Sequence, residues 1–504
     1  MAPSTLPDLL TGRQGPALGA PGRADLDYPS LAAVIDRLGR QLAGLGLGPG
    51  DAVALVLPNG PEAAAAFLAV ASHATAAPLN PAYTEEEFAF YLEDLGAKRL
   101  ILAAGAETPA RAAATRLGVP ISAVESGAAA GDIVLTGAAE APARRNGPGD
   151  DALVLHTSGT TSRPKIVPLT AANICASAGH IAQSLALGPA DRCLNMMPLF
   201  HIHGLIAAVL SSLSAGGAVT CTHGFDALKF FGWLGEIRPS WYSAVPTMHQ
   251  AILTRAKRNA ETLAQAKLRL IRSSSAALPV PVLEALEATF GCPVIEAYGM
   301  TEAAHQMAAN PLPPAPRKPG TVGVAAGPEV AIMDAGGALL PQGAVGEIVI
   351  RGPNVTPGYR NNPKANAENF TEGWFRTGDQ GEIDPQGYIT IRGRLKEIIN
   401  RGGEKISPRE VDDVLITHPD VAQVVTFAMP HRMLGEDVAA AVVLEEGAAA
   451  DARALRAFAA ERLAAFKVPA RIEILTEIPK GATGKLQRIG LAEKLGIAKP
   501  EHGA

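Results

Sequence analysis

The sequence predicts an α/β fold, with a large N-terminal domain of layered sheets and helices and a small C-terminal α+β domain. Its 504 residues are too many for one core and indicate two to four structural units. The first 150 residues alternate helix and strand patterns, which is typical of α/β layers. After Arg394 the pattern changes, and the remaining tail of about 110 residues has apolar positions for a core of its own.

Apolar spacing and helix-start signals predict the alternation of helices and strands in the first 150 residues. One helical face carries five apolar residues, namely Leu31, Val34, Leu38, Leu42 and Leu45. The segments Val53 to Leu57 and Leu100 to Leu102 are predicted strands. Pro61 begins a second helix at a position where its missing N–H costs nothing, and Thr84 with Glu87 forms a capping box for a third. Helices and strands therefore follow one another closely.

The C-terminal domain is predicted from a helix, two strands and a second helix. Ser407 and Pro408 begin the first helix, and Val424 to Phe427 and Val438 to Leu444 are apolar enough for buried strands. Apolar residues from Leu455 to Phe466 predict the second helix. Such a mixture is typical of a small α+β domain.

Composition limits the kinds of molecule that the protein is expected to bind and the location in which it is expected. The net charge of −5 leaves no basic excess to hold a polyanion, so nucleic acid is not expected. No secretory signal and no run of about 18 apolar residues is present, so no membrane span is expected and the cytoplasm is the expected location. A monomer or homodimer is expected. The cysteines lack metal-like spacing and are predicted to be buried thiols: Cys175, Cys193, Cys221 and Cys292.

The segment from Leu153 to Lys165 is the first to indicate chemistry. An apolar strand runs into hydroxyl groups and glycine and ends on a cation, a combination that suits a phosphate chain. It lacks the residue order of a Walker loop. An ordinary polar loop is the alternative, and this segment alone does not decide between them. The candidate nucleotide ligands here are Thr157, Ser158, Gly159, Thr160, Thr161 and Lys165.

Six further motifs follow in a fixed order. They are PLFHIHG at 198–204, SSSAAL at 273–278, EAYGMTE at 296–302, GD at 378–379, GRLK at 393–396 and PKGATGK at 479–485. Together with HTSGTTSRPK at 156–165, they resemble the adenylate-forming acyl-CoA synthetases over essentially the whole chain. The resemblance implies an N-terminal adenylate-forming domain at 1–394, a hinge near Lys396 and a mobile C-terminal cap at 397–504. Ile166 stands where this family commonly has glycine, which removes no ligand group.

The same motifs contain groups suited to a nucleotide. Tyr298 offers a flat face for adenine, and Glu296 or nearby backbone groups can accept from the adenine amino group. Thr301 and Glu302 supply a hydroxyl near phosphate and a carboxylate for Mg²⁺. The resemblance implies that Asp379 holds the ribose hydroxyls, with Arg394 as a second ribose or phosphate contact. The nucleotide-binding candidates in these motifs are Ser275, Ala276, Glu296, Ala297, Tyr298, Gly299, Asp379 and Arg394.

The resemblance also implies a two-step reaction with ATP, Mg²⁺ and coenzyme A. Lys485, with Thr301 and Glu302, would be catalytic for adenylation, its cation bridging the incoming carboxylate and the α-phosphate. The cap would then rotate about Lys396 and present a coenzyme A face at Gly402, Gly403 and Lys405. A plain glycine turn at 401–403 is the alternative interpretation of that face.

The expected acid is small and carries a second carboxylate. Polar residues are expected to line its pocket: His201, His203, Ser274, Ser275 and His305. The segments PLFHIHGL, IRSSSAAL, MTEAAHQM and INRGGEKISP resemble the oxalate–CoA ligase branch, which implies that His201, Ser275 and His305 bind the distal carboxylate. Each lone histidine has a structural alternative.

Four other functions remain open from the sequence. Malonate–CoA ligases share the frame and carry arginine at the position of Arg317, although the sequence around it is also common in fatty acid ligases. A medium-chain or aromatic acid–CoA ligase, a domain that loads a carrier protein, and a non-catalytic nucleotide sensor are the others. The sensor is disfavoured because Lys485, Glu302, Asp379 and Arg394 are all present.

Overall fold

The chain forms four β-sheets with helices packed around them in a computed structural model that describes residues 3–157, 164–480 and 486–497. Sheets of seven, nine and five strands come from residues 16–394. Strands between residues 399 and 474 form the fourth sheet. The predicted α/β fold class is thus confirmed, while rotation of a cap about Lys396 stays a prediction.

The helices lie between and outside the sheets. They are α1 (Leu6–Leu10), α2 (Tyr28–Gly44), α3 (Pro61–His73), α4 (Glu85–Leu95), α5 (Pro109–Leu117), α6 (Ala171–Ser184), α7 (Ser211–Ser214), α8 (Phe230–Ile237), α9 (Pro246–Ala256), α10 (Ala260–Gln265), α11 (Val280–Phe290), α12 (Pro363–Asn369), α13 (Pro408–Leu415), α14 (Ala452–Ala460) and α15 (Leu491–Lys494). A π-helix spans His203–Leu210, and 3-10 helices span Lys257–Asn259, Thr301–Ala303 and Ala465–Lys467.

The strands are short and numerous. They are β1 (Pro16–Gly19), β2 (Leu26–Asp27), β3 (Ala52–Val56), β4 (Thr75–Pro78), β5 (Arg99–Ala103), β6 (Ile121–Ser126), β7 (Ile133–Leu135), β8 (Asp151–His156), β9 (Ile166–Thr170), β10 (Arg192–Asn195), β11 (Ala218–Cys221), β12 (Trp241–Ala244), β13 (Leu270–Ser274), β14 (Val294–Met300), β15 (His305–Ala309), β16 (Val324–Ala325), β17 (Glu329–Met333), β18 (Gly346–Arg351), β19 (Phe370–Thr371), β20 (Trp374–Ile383), β21 (Ile389–Arg394), β22 (Ile399–Arg401), β23 (Glu404–Ile406), β24 (Val421–His431), β25 (Gly435–Leu444) and β26 (Arg471–Ile474).

The N-terminal elements form where local signals predict them. The amphipathic helix is α2, whose buried face includes Leu31, Leu38 and Leu42. Thr84 accepts from the backbone N–H of Glu87 at 3.3 Å, and the Glu87 side chain accepts from the backbone N–H of Thr84 at 2.8 Å. This reciprocal pair satisfies two N–H groups that a helix start otherwise leaves open. Strand β3 is buried on both faces, as expected for a central parallel strand.

The nine-stranded sheet has the order β16-β15-β14-β13-β12-β10-β11-β1-β2. Strands β10, β12, β13 and β14 are parallel, so their carboxyl ends lie along one edge. β15 then returns antiparallel to β14. Ligands of open α/β sheets bind beyond the carboxyl ends of the strands, particularly where the strand order changes. The fold therefore predicts a site at this edge.

The C-terminal sheet has the order β23-β22-β25-β24, with β26 paired to β25. Helices α13 and α14 pack against one face and α15 against the other, so alternate residues of β24 and β25 enter two cores. The predicted second helix was too long, because Ala464 is extended (φ −58°, ψ 144°) and α14 ends at Ala460. Leu463 and Phe466 still pack on the same core, which explains their apolar spacing.

Two other expectations bear on the class of protein. All four cysteines are free and buried, as predicted from their spacing. Among the residues that the structure describes, no helix has both the length and the apolar character needed to cross a membrane.

Candidate active site

The candidate residues gather at the carboxyl ends of β12, β13 and β14. Ala244 pairs with Ser273, and Ser274 with Ala297, so these strands end side by side. Ser275 and Ala276 follow β13 directly, and the 3-10 helix Thr301–Ala303 follows β14. Segments far apart in sequence therefore meet at one edge.

A cluster of polar side chains forms around His203. Its Nδ1 lies 3.0 Å from the Ser275 hydroxyl and its Nε2 lies 2.6 Å from the Ser243 hydroxyl. The His203 and His305 rings are in edge contact, with centroids 5.1 Å apart. His201 is adjacent, because its Nδ1 accepts from the His203 backbone N–H at 3.3 Å. His203 thus joins two residues of the predicted acid pocket, Ser275 and His305.

The backbone around this cluster adopts conformations that L-residues rarely take. Ser275 has a φ of 74° and His305 a φ of 100°. A Cβ at Gly299 would lie 1.8 Å from the His305 carbonyl oxygen, so this position requires glycine. Strained residues of this kind cost about 1–3 kcal/mol each and cluster at functional sites. His203 also begins a π-helix, a rare element that is frequent at such sites.

Tyr298, Asp379 and Arg394 form one group, joined by a hydrogen bond and an ion pair. The Tyr298 hydroxyl donates to Oδ2 of the buried Asp379, and Arg394 forms an ion pair with the same carboxylate, with 3.1 Å between Nε and Oδ1. The pairing of β20 with β21 places Asp379 opposite Arg394. Asp379 raises the pKa of Arg394, and burial together with Asp379 raises that of Tyr298. An aromatic ring can stack on a base and a carboxylate can accept from two ribose hydroxyls, so this group is suited to a nucleoside.

Glu302, Tyr359 and Lys165 form a second group. The Tyr359 hydroxyl donates to Glu302 Oε1 at 2.8 Å, and Lys165 Nζ lies 4.4 Å from the Tyr359 ring centroid. Burial raises the pKa of Glu302, opposed by the Tyr359 hydrogen bond and by the charges of Arg394 and Lys165. Burial also lowers the pKa of Lys165, opposed by Glu302. A carboxylate and an ammonium therefore share a sheltered location.

This second group adjoins the predicted phosphate loop. The Thr157 N–H donates to the Lys165 carbonyl at 3.0 Å, and the Lys165 N–H donates to the Thr157 hydroxyl at 3.3 Å. These bonds bring the two flanks of the segment together. The remaining candidates of this segment, Ser158, Gly159, Thr160 and Thr161, lie outside the described residues, as does Lys485.

The donor set fits one Mg²⁺ held jointly with substrate phosphates. Within residues 3–157, 164–480 and 486–497, no cluster of three or more His, Cys, Asp or Glu side chains could hold a metal. Mg²⁺ at phosphate sites usually takes one or two carboxylates plus phosphate oxygens and water. Glu302, buried beside Thr301, supplies one such carboxylate.

Two residues of the site were missed at the sequence level. Tyr359 lies in the loop Pro357-Gly358-Tyr359-Arg360, where nothing local distinguishes it from a turn residue. Arg272 is fully buried on β13, 3.4 Å from His305 Nδ1. An arginine within an apolar strand is itself unusual and was the available signal.

Arg317 pairs with Glu287 of α11 and donates to the Val294 carbonyl at 3.2 Å.

The hinge and coenzyme A candidates lie at the start of the C-terminal sheet. Lys396 is exposed between β21 and β22. Gly402 and Gly403 have φ values of 60° and 102° in the turn between β22 and β23, and Lys405 is exposed on β23. Positive φ at both positions is what a tight hairpin turn requires, so the turn accounts for both glycines. A coenzyme A contact there stays a prediction.

Glu296 lies on β14, within the electrostatic influence of Arg409 on α13 of the C-terminal part. Its carboxylate is buried, and Oε2 has no hydrogen-bond partner within residues 3–157, 164–480 and 486–497. Burial raises its pKa to about 7, opposed by the charge of Arg409 on α13. Its proposed contact with adenine stays a prediction, and its burial has a consequence for stability.

Glu296→Gln is expected to remove a pH-dependent destabilisation. Below pH 4.5 the carboxyl is neutral in both the folded and the unfolded chain; between pH 4.5 and 7 the unfolded chain loses the proton that the folded chain keeps. Stability therefore falls as pH rises through this window, by up to about 3 kcal/mol. Thermal unfolding should show the variant's Tm advantage growing from pH 4.5 to 7 and then levelling off. Glu284→Gln, at an exposed position of α11, is the control, and an advantage constant with pH contradicts the prediction.

Two family models match the chain, one in the N-terminal part and one in the C-terminal part. Residues 13–360 match the family described as AMP-binding enzyme, and residues 410–485 match the AMP-binding enzyme C-terminal domain. The chain is 47% identical over 495 residues to an oxalate–CoA ligase of Arabidopsis thaliana, covering 96% of each protein. It is 42% identical over 473 residues to an oxalate–CoA ligase of Saccharomyces cerevisiae, covering 88% of this chain and 86% of that protein.

The fold has a solved counterpart. The crystal structure of ATP-bound MatB from Rhodopseudomonas palustris matches with a TM-score of 0.89 at 29% identity, covering 97% of this chain and 98% of the other. The similarity therefore includes the edge where the candidate residues gather.

Proposed function

Because the chain belongs to the family of AMP-binding enzymes, we propose that it is an ATP-dependent acid–CoA ligase whose acid is oxalate. The reaction joins the acid to coenzyme A and releases AMP and pyrophosphate. The relatives named oxalate–CoA ligase cover nearly the whole chain, which supports both the reaction and the acid.

The proposal of oxalate as the acid rests on the clustering of His203, Ser275 and His305. Hydrogen bonds and ring contact hold these side chains together next to the 3-10 helix that bears Glu302. A pocket for a long alkyl chain would be lined by apolar groups. Hydroxyl and imidazole groups instead suit the second carboxylate of a small diacid. His201, adjacent to His203, is proposed to complete this lining.

In the first step, a carboxylate oxygen of the acid attacks the α-phosphorus of ATP and pyrophosphate leaves, which gives acyl-AMP. We assign adenine and ribose to Tyr298, Asp379 and Arg394, because their connected aromatic, carboxylate and guanidinium groups match those functions. Thr157 and Lys165 are proposed to bind the phosphates. Negative charge develops on the phosphoryl oxygens during attack, and a fixed cation stabilises it. Lys485 is proposed as that cation.

Glu302, with the hydroxyl of Thr301, is the group proposed to hold Mg²⁺. The ion would neutralise phosphate charge. Tyr359 keeps the Glu302 carboxylate oriented through its hydrogen bond. The protein would thus contribute an oriented, buried carboxylate as a ligand of the ion.

In the second step, the coenzyme A thiolate attacks the acyl carbonyl and AMP leaves with the bonding electrons. We propose that the C-terminal part rotates about Lys396 between the steps and brings the turn at Gly402 and Gly403, with Lys405, to the thiol. The exposure of Lys396 between two sheets is compatible with such a hinge. Domain movements of this kind often limit turnover.

An acid panel tests the proposal. The protein is incubated with ATP, Mg²⁺, coenzyme A and one acid from a set of oxalate, malonate, glyoxylate, acetate, octanoate and benzoate, and AMP release is measured. We expect kcat/KM for oxalate to exceed that for every other acid by about tenfold or more, since each 1.4 kcal/mol of selective binding gives that factor. Lys485→Ala gives the background. A preference for octanoate or benzoate would leave the ligase class intact and refute the oxalate pocket.

A further inference from the structure

We propose that Arg272 is the specificity-determining positioning residue of the acid pocket, providing the positive charge that selects acids with a second anionic group. It acts through the histidines that line the pocket. The inference rests on the proposed function, since it explains how the same pocket would distinguish a diacid from a monoacid.

Arg272 is a buried cation that pairs with no carboxylate among the described residues. Its side chain is fully buried on β13, and Nε has no hydrogen-bond partner in the part of the chain that the structure describes. Among the described residues, no carboxylate lies within 4.0 Å of its guanidinium nitrogens. Burial lowers its pKa to about 9, so the guanidinium remains protonated at neutral pH. Burying a charge without a counter-ion is unfavourable, and a bound anion would offset that cost.

The neighbours of Arg272 are neutral groups that lead into the pocket. Its terminal nitrogens lie 3.4 Å from the Ser243 hydroxyl, 3.4 Å from His305 Nδ1 and 3.3 Å from Gln306 Oε1. Ser243 in turn lies 2.6 Å from His203 Nε2. One cation is therefore connected to both pocket histidines.

This connection fixes the donor side of His305. A guanidinium only donates, so His305 Nδ1 accepts from Arg272, and neutral His305 carries its proton on Nε2. An Nε2–H group is a donor suited to a carboxylate. The positive charge behind it strengthens that donor in a low-dielectric site, whereas an acid with a neutral second group gains little from it. The geometry therefore favours a dianionic substrate.

The test compares acids in matched pairs, oxalate with glyoxylate and malonate with propionate. Wild type, Arg272→Gln and Arg272→Lys are assayed for kcat and KM with each acid. For Arg272→Gln we expect kcat/KM for the diacid of each pair in which the wild type prefers the diacid to fall about 10–100-fold, mainly through KM. This range follows because a hydrogen bond to a charged group contributes about 1.5–3 kcal/mol. For the monoacid of the same pair, kcat/KM should change less than about 3-fold. Arg272→Lys, which retains the charge, should recover part of the diacid selectivity.

Arg269→Gln is the matched control. Arg269 stands just before the same strand and pairs with Asp191 at 3.0 Å, outside the pocket, so its loss should leave the diacid-to-monoacid ratio unchanged. If Arg272→Gln does not fold, the ratio is taken from Arg272→Lys, where a fall of at least about 3-fold relative to wild type is expected because an ammonium lacks the guanidinium's fork of donors.

The outcomes separate this inference from the proposed function. A wild-type preference for malonate over oxalate contradicts oxalate as the acid, yet the Arg272 inference stands if Arg272→Gln loses that diacid preference. Equal losses for the diacid and the monoacid, or an unchanged ratio in the variant that folds, would overturn the inference. No diacid preference in the wild type would overturn both.

Discussion

Replacing Lys485 by alanine is expected to slow acyl-adenylate formation by about 10²–10³-fold, the usual effect of removing one group that stabilises transition-state charge. Attack of the acid on the α-phosphorus places negative charge on the phosphoryl oxygens, and the alanine variant lacks the lysine proposed to stabilise that charge. The second step involves no attack on phosphorus, so it should lose much less. The two steps are measured separately, as acid-dependent pyrophosphate exchange and as thioester formation from supplied acyl-AMP.

Lys480→Ala is the matched control for this variant. Lys480 pairs with Glu477 at the surface, and with Leu486 it forms an isolated antiparallel bridge on either side of residues 481–485. Its side chain should contribute little to either step, because exposed ion pairs are worth about 0–1 kcal/mol. If Lys485→Ala slowed both steps equally, the assignment of Lys485 to adenylation would be wrong.

Glu302→Gln is expected to reduce adenylation by about 10²–10³-fold and to raise the Mg²⁺ concentration needed for half-maximal rate, because a ligand carboxylate contributes charge that an amide lacks. The variant should fold, since glutamine retains the shape while removing a buried charge. Initial rates of pyrophosphate release over a Mg²⁺ titration measure both effects. Unchanged Mg²⁺ dependence with a reduced maximal rate would refute the metal role.

Two further variants define the cause of the Glu302 effect. Tyr359→Phe keeps the carboxylate and removes its 2.8 Å hydrogen bond, so a smaller loss of about 10-fold is expected from a net contribution near 1.5 kcal/mol. Glu284→Gln removes an exposed carboxylate of α11, away from Lys165 and Glu302, and should behave as wild type. A Tyr359→Phe loss as large as that of Glu302→Gln would point to orientation of the carboxylate as the main requirement.

Much of the fold was predictable because its signals are local. The capping box at Thr84 and the proline that begins α3 act within a single turn of helix, so neighbouring residues suffice to place them. The C-terminal helix was overextended for the opposite reason. Its apolar periodicity continues to Phe466 because a helix and the following turn face one core, and sequence spacing does not register the break at Ala464.

The candidate site was predictable where a motif is contiguous. EAYGMTE spans the end of β14 and the 3-10 helix that follows, so Tyr298 and Glu302 were named from sequence. Their partners were not, because Tyr359 stands 57 residues after Glu302 in the chain and contacts it only through the fold. The sequence also could not indicate that the charge of Arg409 on α13 would act on Glu296.

The sequence by itself determined the α/β class, the ordered motifs of an adenylate-forming enzyme and the residue types available for phosphate, ribose and metal. Only the tertiary structure decided which of these side chains meet. Strand register sets Arg272 opposite Ser243, and the antiparallel return of β15 brings His305 to both Arg272 and His203. Such contacts depend on pairing between distant segments, whereas a motif records only what is adjacent along the chain.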